Sequence, residues 1–154
     1  MTNEAITFIR PATLSNQVPY AYAAVIDAAR TLWTAGACPL DAEGRTVAEG
    51  DAVRQAEQVM INLAATLAEV GSQLSDVVKS TVYVASSRRE DLTAVWGVVR
   101  SAFGDHDAPS TLLGVSALGW PGQLVEVEAV AILPPGRADV DPSAPPTPGK
   151  SASS

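Results

Sequence analysis

Only two stretches of this chain carry a helical period, while six read as strands, and that imbalance limits what it can fold into. In DAVRQAEQVMINLAATLAEVG the residues Val53, Ala56, Met60, Leu63, Leu67 and Val70 recur at three- and four-residue steps, which is one face of a helix. Asp51 is placed to cap its start and Gly71 to stop it. A second helix is predicted from Ser87, where Ser87 and Glu90 have capping-box spacing. Its apolar stripe is Leu92, Val95, Trp96, Val99 and Phe103. Strands are predicted over residues 6–10, 23–29, 31–38, 77–86, 111–117 and 124–133. The order β-β-β-α-β-α-β-β predicts a two-layer α/β domain, a six-stranded mixed sheet with both helices on one face. Two helices cannot cover both faces of such a sheet. The second face is therefore expected to be buried against further copies of the chain.

With 154 residues the chain has room for one domain with a core and too little for two ordinary ones. The domain is expected to span residues 1–133. Residues 134–154, PPGRADVDPSAPPTPGKSASS, hold six of the eleven prolines and no aromatic residue. Such a composition buries too little apolar surface to offset its ordering entropy, so this segment reads as a disordered tail. Its charges cancel, which leaves the net −7 on the rest of the chain. Phosphate backbones and anionic membranes call for clustered Lys and Arg, and the largest basic cluster is the pair Arg88 and Arg89. Neither nucleic acid nor a membrane is expected as a partner. The start lacks the basic and apolar regions of a signal peptide, so a cytoplasmic protein is expected. One histidine and one cysteine make no recognisable ligand cluster, and neither a metal nor a cofactor is expected.

The last strand, LVEVEAVAIL, carries Glu126 and Glu128 in an otherwise apolar run. Acidic residues are depleted in strands and seldom buried without a partner. Two apart, they project from the same face.

Several segments in order resemble one family. They are VPYAYAA, LWTAGACPLDAEG, QAEQVMINLAATLAEVGSQLSDVVKSTVYV and the closing LVEVEAVAIL. The chain resembles the RidA family, also called YjgF/YER057c/UK114, from about Ile6 to Leu133. The resemblance implies a chorismate-mutase-like α/β subunit, a homotrimer, and small-molecule sites in clefts between subunits. Active members hydrolyse 2-imino or 2-enamino acids to 2-oxo acids and ammonia. An arginine in a Pro-x-Arg-Ser/Thr motif clamps the substrate carboxylate there, as a planar guanidinium is suited to do. Here the run is Ala108-Pro109-Ser110-Thr111, and Ser110 stands in the arginine's place. A neutral hydroxyl for a cation forfeits roughly 1 kcal/mol or more of carboxylate binding. The chain thus reads as a divergent branch without the motif arginine. The family's Ser-Gly pair is Ala35-Gly36, an asparagine on the second helix is Trp96, and the turn GWPGQ is one residue longer than usual. Tyr20 matches the family's site tyrosine and Glu126 its water-positioning glutamate.

Glu126 is accordingly the candidate catalytic group, orienting water or moving a proton; the alternative is a structural ion pair or backbone hydrogen bond. Glu128 reads as structural. Tyr20, Ser110, Thr111, Gly36 and Trp96 are the candidate substrate-binding residues. Interface packing is the alternative for Tyr20 and is the reading for Tyr22. An ordinary strand start is the alternative for Ser110 and Thr111, and core packing for Trp96. Trp120 is a second candidate wall of an apolar pocket. Cys38 reads as a small buried thiol and His106 as an exposed loop histidine. The function expected is hydrolysis or tautomerisation of an imine or enamine metabolite, imine-deaminase-like, on a substrate other than a standard 2-imino acid. The alternative is a non-catalytic metabolite-binding or regulatory trimer. A ribonuclease is disfavoured by the acidic balance. Arg10, Arg30 and Arg100 are the cations considered as substitutes for the missing arginine.

Overall fold

The computed structural model describes residues 6–9, 21, 23–26 and 30–133. Residues 134–154, read above as a tail, and Tyr20, Tyr22 and Arg10 lie outside the described residues. The order of elements is the expected one: β1 (Ile6–Ile9), β2 (Ala23–Ile26), β3 (Arg30–Trp33), α1 (Ala52–Glu69), β4 (Val77–Val84), α2 (Arg89–Phe103), β5 (Ser110–Gly114) and β6 (Val125–Leu133). A short 3-10 turn, Leu74–Asp76, leads into β4.

Among the described residues the strands form two ladders rather than one six-stranded sheet. β1 and β2 pair as an antiparallel hairpin, and the other four form a mixed sheet in the order β3-β6-β4-β5. The hairpin is held instead at the start of β5. There Phe8 meets the His106 ring edge-on at 4.9 Å, and the Ala21 amide donates to the Asp107 carbonyl at 3.2 Å. His106 is buried, not exposed as its loop position suggested, and its Nε2 donates to the Val77 carbonyl at 2.7 Å.

α1 joins β3 to β4, and α2 joins β4 to the parallel β5. Crossovers between parallel strands carry their helices onto the sheet face, and the two helices pack on each other and on one side of it. Asp51 caps α1 by accepting from the Arg54 amide at 3.0 Å. At its other end the amides of Gly71 and Ser72 reach back to the carbonyls of Ala68 and Leu67. That pattern needs a left-handed residue, and Gly71 supplies it with φ 73°. The capping box proposed for α2 from Ser87 and Glu90 does not form. Ser86 takes the role one residue earlier, accepting from the Arg88 amide at 3.0 Å and donating to Asp91 at 2.6 Å. Arg88 itself occupies the cap without a side-chain bond.

The core lies between the helices and the sheet. Val59, Leu63 and Leu67 of α1 and Val95 and Val99 of α2 meet Val82, Val84, Val125 and Val127. Burying each such side chain is worth about 1.5–3 kcal/mol. Val53 departs from the predicted stripe: it is 38% exposed, and Gln55 is fully buried instead. Leu63→Ala is therefore expected to cost about 2–5 kcal/mol, and Val53→Ala less than about 0.5 kcal/mol. Urea denaturation followed by circular dichroism measures both, and equal losses would mean that the buried face of α1 is misassigned.

Candidate functional site

β6 alternates without interruption from Val125 to Ala131. Its odd residues face the helices, so Glu126 and Glu128 share the opposite face, as their spacing predicted. Each then acquires a different partner. Glu128 accepts a hydrogen bond from the Tyr83 hydroxyl at 2.8 Å. That bond, then burial, pushes the Tyr83 phenol above its ordinary value. Glu128 is thus tied within the sheet, as its structural reading supposed.

Glu126 points to the segment that follows β3. Ala37 pairs with Val127, donating at 2.8 Å and accepting at 3.2 Å, which carries Gly36 and Cys38 alongside β6. A Cβ on Gly36 would lie 1.9 Å from Glu126 Oε1. The carboxylate occupies the space of an absent side chain, so Gly36 is required there for room. The other oxygen, Oε2, accepts from Gln123 Nε2 at 3.0 Å and lies 3.7 Å from the Cys38 thiol. Burial and then the Glu126 charge push that thiol above its ordinary value, so it is a neutral donor.

The turn that carries Gln123 is anchored from beneath. Gln55 donates to the Gly122 carbonyl at 2.8 Å and accepts from the Leu124 amide at 2.7 Å. Thr46 donates to the Pro121 carbonyl at 2.8 Å. Trp120 stands half-exposed on this turn and lines a groove of about 650 Å³ with Gly36, Cys38 and Asn62. The arrangement is a held carboxylate, one apolar wall and a route for solvent. It suits orienting a water or relaying a proton.

Ser110 and Thr111 do not join this group. Ser110 Oγ lies 2.5 Å from Ser80 Oγ and donates to the Ala108 carbonyl at 3.1 Å, on the helix side of the sheet. Thr111 is on the outer side, where it accepts from Lys79 Nζ at 2.5 Å. Burial lowers the Lys79 ammonium below its ordinary value. Lys79 borders a second cleft of about 340 Å³, lined also by Trp33, Thr81 and Glu128. Trp96 packs against the core and stays away from Glu126. Arg100 is engaged at the end of α2, where it donates to the Gly104 carbonyl. Gln123 and Lys79 were not singled out by the sequence, and Cys38, read there as a small buried thiol, is only half-buried and lies beside Glu126. Gln123 is 4% exposed, and nothing in its surroundings marks a buried amide, since glutamine is mostly a surface residue. Among the described residues no group of His, Cys, Asp and Glu is arranged to hold a metal, and no helix is long and apolar enough to cross a membrane.

The family model described as endoribonuclease L-PSP matches residues 13–133. Protein DfrA of Myxococcus xanthus is 35% identical over 114 residues, 74% of this chain and 85% of the relative. The 2-iminobutanoate/2-iminopropanoate deaminase of Capra hircus is 31% identical over 117 residues, 76% of this chain and 82% of the relative. The crystal structure of YyfB from Yersinia pestis, of the conserved Rid protein family, has a TM-score of 0.79 at 32% identity, over 84% of this chain and 99% of that one. In sequence and in fold, this chain belongs to the RidA (YjgF/YER057c/UK114) family.

Proposed function

We propose that this protein hydrolyses an imine or enamine metabolite, with Glu126 as the group that orients water. The observation that carries the reading is the carboxylate seated over Gly36 and held at its other oxygen by Gln123. The relatives named 2-iminobutanoate/2-iminopropanoate deaminase supply the reaction class. In the proposed step, water adds to the imine carbon while Glu126 takes its proton. That proton passes to nitrogen to give the carbinolamine, whose hydroxyl proton is then carried to nitrogen by the same carboxylate as the C–N bond breaks, leaving a carbonyl and ammonia.

The substrate we propose is a neutral imine rather than a 2-imino acid. Ser110 holds the arginine's position and is turned toward Ser80, so no guanidinium meets a carboxylate there. We further propose a homotrimer with the site between subunits. Its support is the outer sheet face, where Trp33 is 74% and Leu113 43% exposed in a single copy. The nuclease named in the family model is not adopted, because His106 is spent on the Val77 carbonyl and the chain carries a net charge of −7.

The inward turn of Ser110 also favours the second reading, a binding trimer without turnover. Imine hydrolysis separates the two. An amino-acid oxidase supplies 2-imino acids with semicarbazide as trap, and a simple ketimine of similar size supplies the neutral substrate. The neutral imine is expected to be preferred in kcat/KM by about 5-fold or more; a preference for the 2-imino acid would refute the altered substrate. Glu126→Gln and Gly36→Ala are each expected to lower kcat by about 100-fold or more. No turnover of either imine at high enzyme concentration would leave the binding reading. Trp33→Glu is expected to convert the assembly to smaller species by light scattering; a wild-type monomer would end the inter-subunit proposal.

A further inference from the structure

We infer that Gln123 and Cys38 are positioning residues for the Glu126 carboxylate, holding Oε2 so that Oε1 is the oxygen presented to water. The inference rests on the hydrolytic reading of Glu126 and names what sets its orientation. Both contacts fall on Oε2, at 3.0 Å from Gln123 Nε2 and 3.7 Å from the Cys38 thiol. Among the described residues Oε1 accepts no hydrogen bond, and it lies over Gly36 where no side chain intervenes.

Gln123 has a single workable orientation. Its Oε1 accepts from the Trp120 amide at 3.0 Å, and its Nε2 donates to the Val125 carbonyl at 3.2 Å as well as to Glu126. Turning the amide over would set an NH₂ against an N–H, and an oxygen against a carbonyl and a carboxylate. The side chain is 4% exposed, so water cannot relieve those repulsions. The thiol is held less tightly, between Glu126 and the Gly36 carbonyl at 3.5 Å. Glu126 is the charged group that acts on it. Asp41, in the same groove, is turned to Arg45 at 2.9 Å, and Glu49 packs over Gly122.

Cys38 is the chain's single cysteine, so iodoacetamide alkylation of the intact protein reports on this thiol alone. Glu126→Gln removes the opposing charge and is expected to speed alkylation at about pH 8 by about 3- to 10-fold. Gln123→Met removes the amide that shares Glu126 Oε2 with the thiol, leaves that oxygen's charge to Cys38 alone, and is expected to slow alkylation by a similar factor. The same Gln123→Met variant is expected to lower kcat for the imine by about 10-fold while KM stays within about 2-fold. Alkylation unchanged in Glu126→Gln would overturn the arrangement whatever the turnover. Alkylation that moves as expected in a protein without imine turnover would uphold the hold on Oε2 and remove the hydrolytic reading alone. Turnover that survives Gln123→Met at full kcat, with alkylation slowed, would overturn the positioning role.

Discussion

β6 runs between β3 and β4, and its strict alternation decides both the core and the site. Val125, Val127, Ala129 and Ala131 supply the sheet's share of the apolar layer beneath the helices. The same backbone sends Glu126 and Glu128 the other way. A slip of one residue would exchange the two sets, driving two carboxylates into the core and four apolar side chains out of it. The register against β4, with Tyr83 opposite Glu126 and Thr81 opposite Glu128, is therefore held by the cost of burying charge as much as by ladder hydrogen bonds.

A half-buried carboxylate on a sheet face has to recover the hydrogen bonds it had in water. Glu128 does so with a phenol and Glu126 with an amide and a thiol. Among the described residues neither solution brings in a cation. Among the described residues no guanidinium or ammonium pairs with either, which matters for chemistry because a carboxylate locked in an ion pair is a poorer proton acceptor. Lys79, the nearest cation on β4, is directed to Thr111 on the far strand. The seat over Gly36 is thus electrostatically open, with its geometry set by neutral groups.

Much of this was legible in the sequence, and the parts that were not share a cause. Both helices were readable because a 3.6-residue period over four or more turns has no competing explanation. The common face of Glu126 and Glu128 followed from the two-residue repeat of a strand. Gly36 drew attention only as part of a family pair; its physical reason, a carboxylate in the place of a Cβ, depends on pairing between Ala37 and Val127, ninety residues apart in sequence. Gln123 and Gln55 were invisible for the same reason, since a glutamine becomes structural only when a distant turn offers it donors and acceptors. Ser110 was placed correctly at the opening of β5, but its direction, toward Ser80, is fixed by the neighbouring strand.

That direction bears on how a complete site is assembled. Ser110 pairs with Ser80, and Ser80 with Ala129, three residues along β6 from Glu126. With strands about 4.8 Å apart and residues about 3.3 Å apart, Ser110 and Glu126 are separated by about 14 Å and face opposite sides of the sheet. One small molecule cannot touch both within a single copy. A cleft that uses Ser110 and Glu126 together needs the two from different copies, and on the proposed trimer the exposed Trp33 and Leu113 supply the apolar area that draws copies together on the side where Glu126 lies. A ligand confined to one copy would instead meet Gly36, Cys38 and Trp120, a neutral and partly apolar group. Both routes lead away from the family's carboxylate clamp, because Ser110 puts a hydroxyl where its guanidinium would stand and Lys79, on the strand beside Glu126, is turned to Thr111.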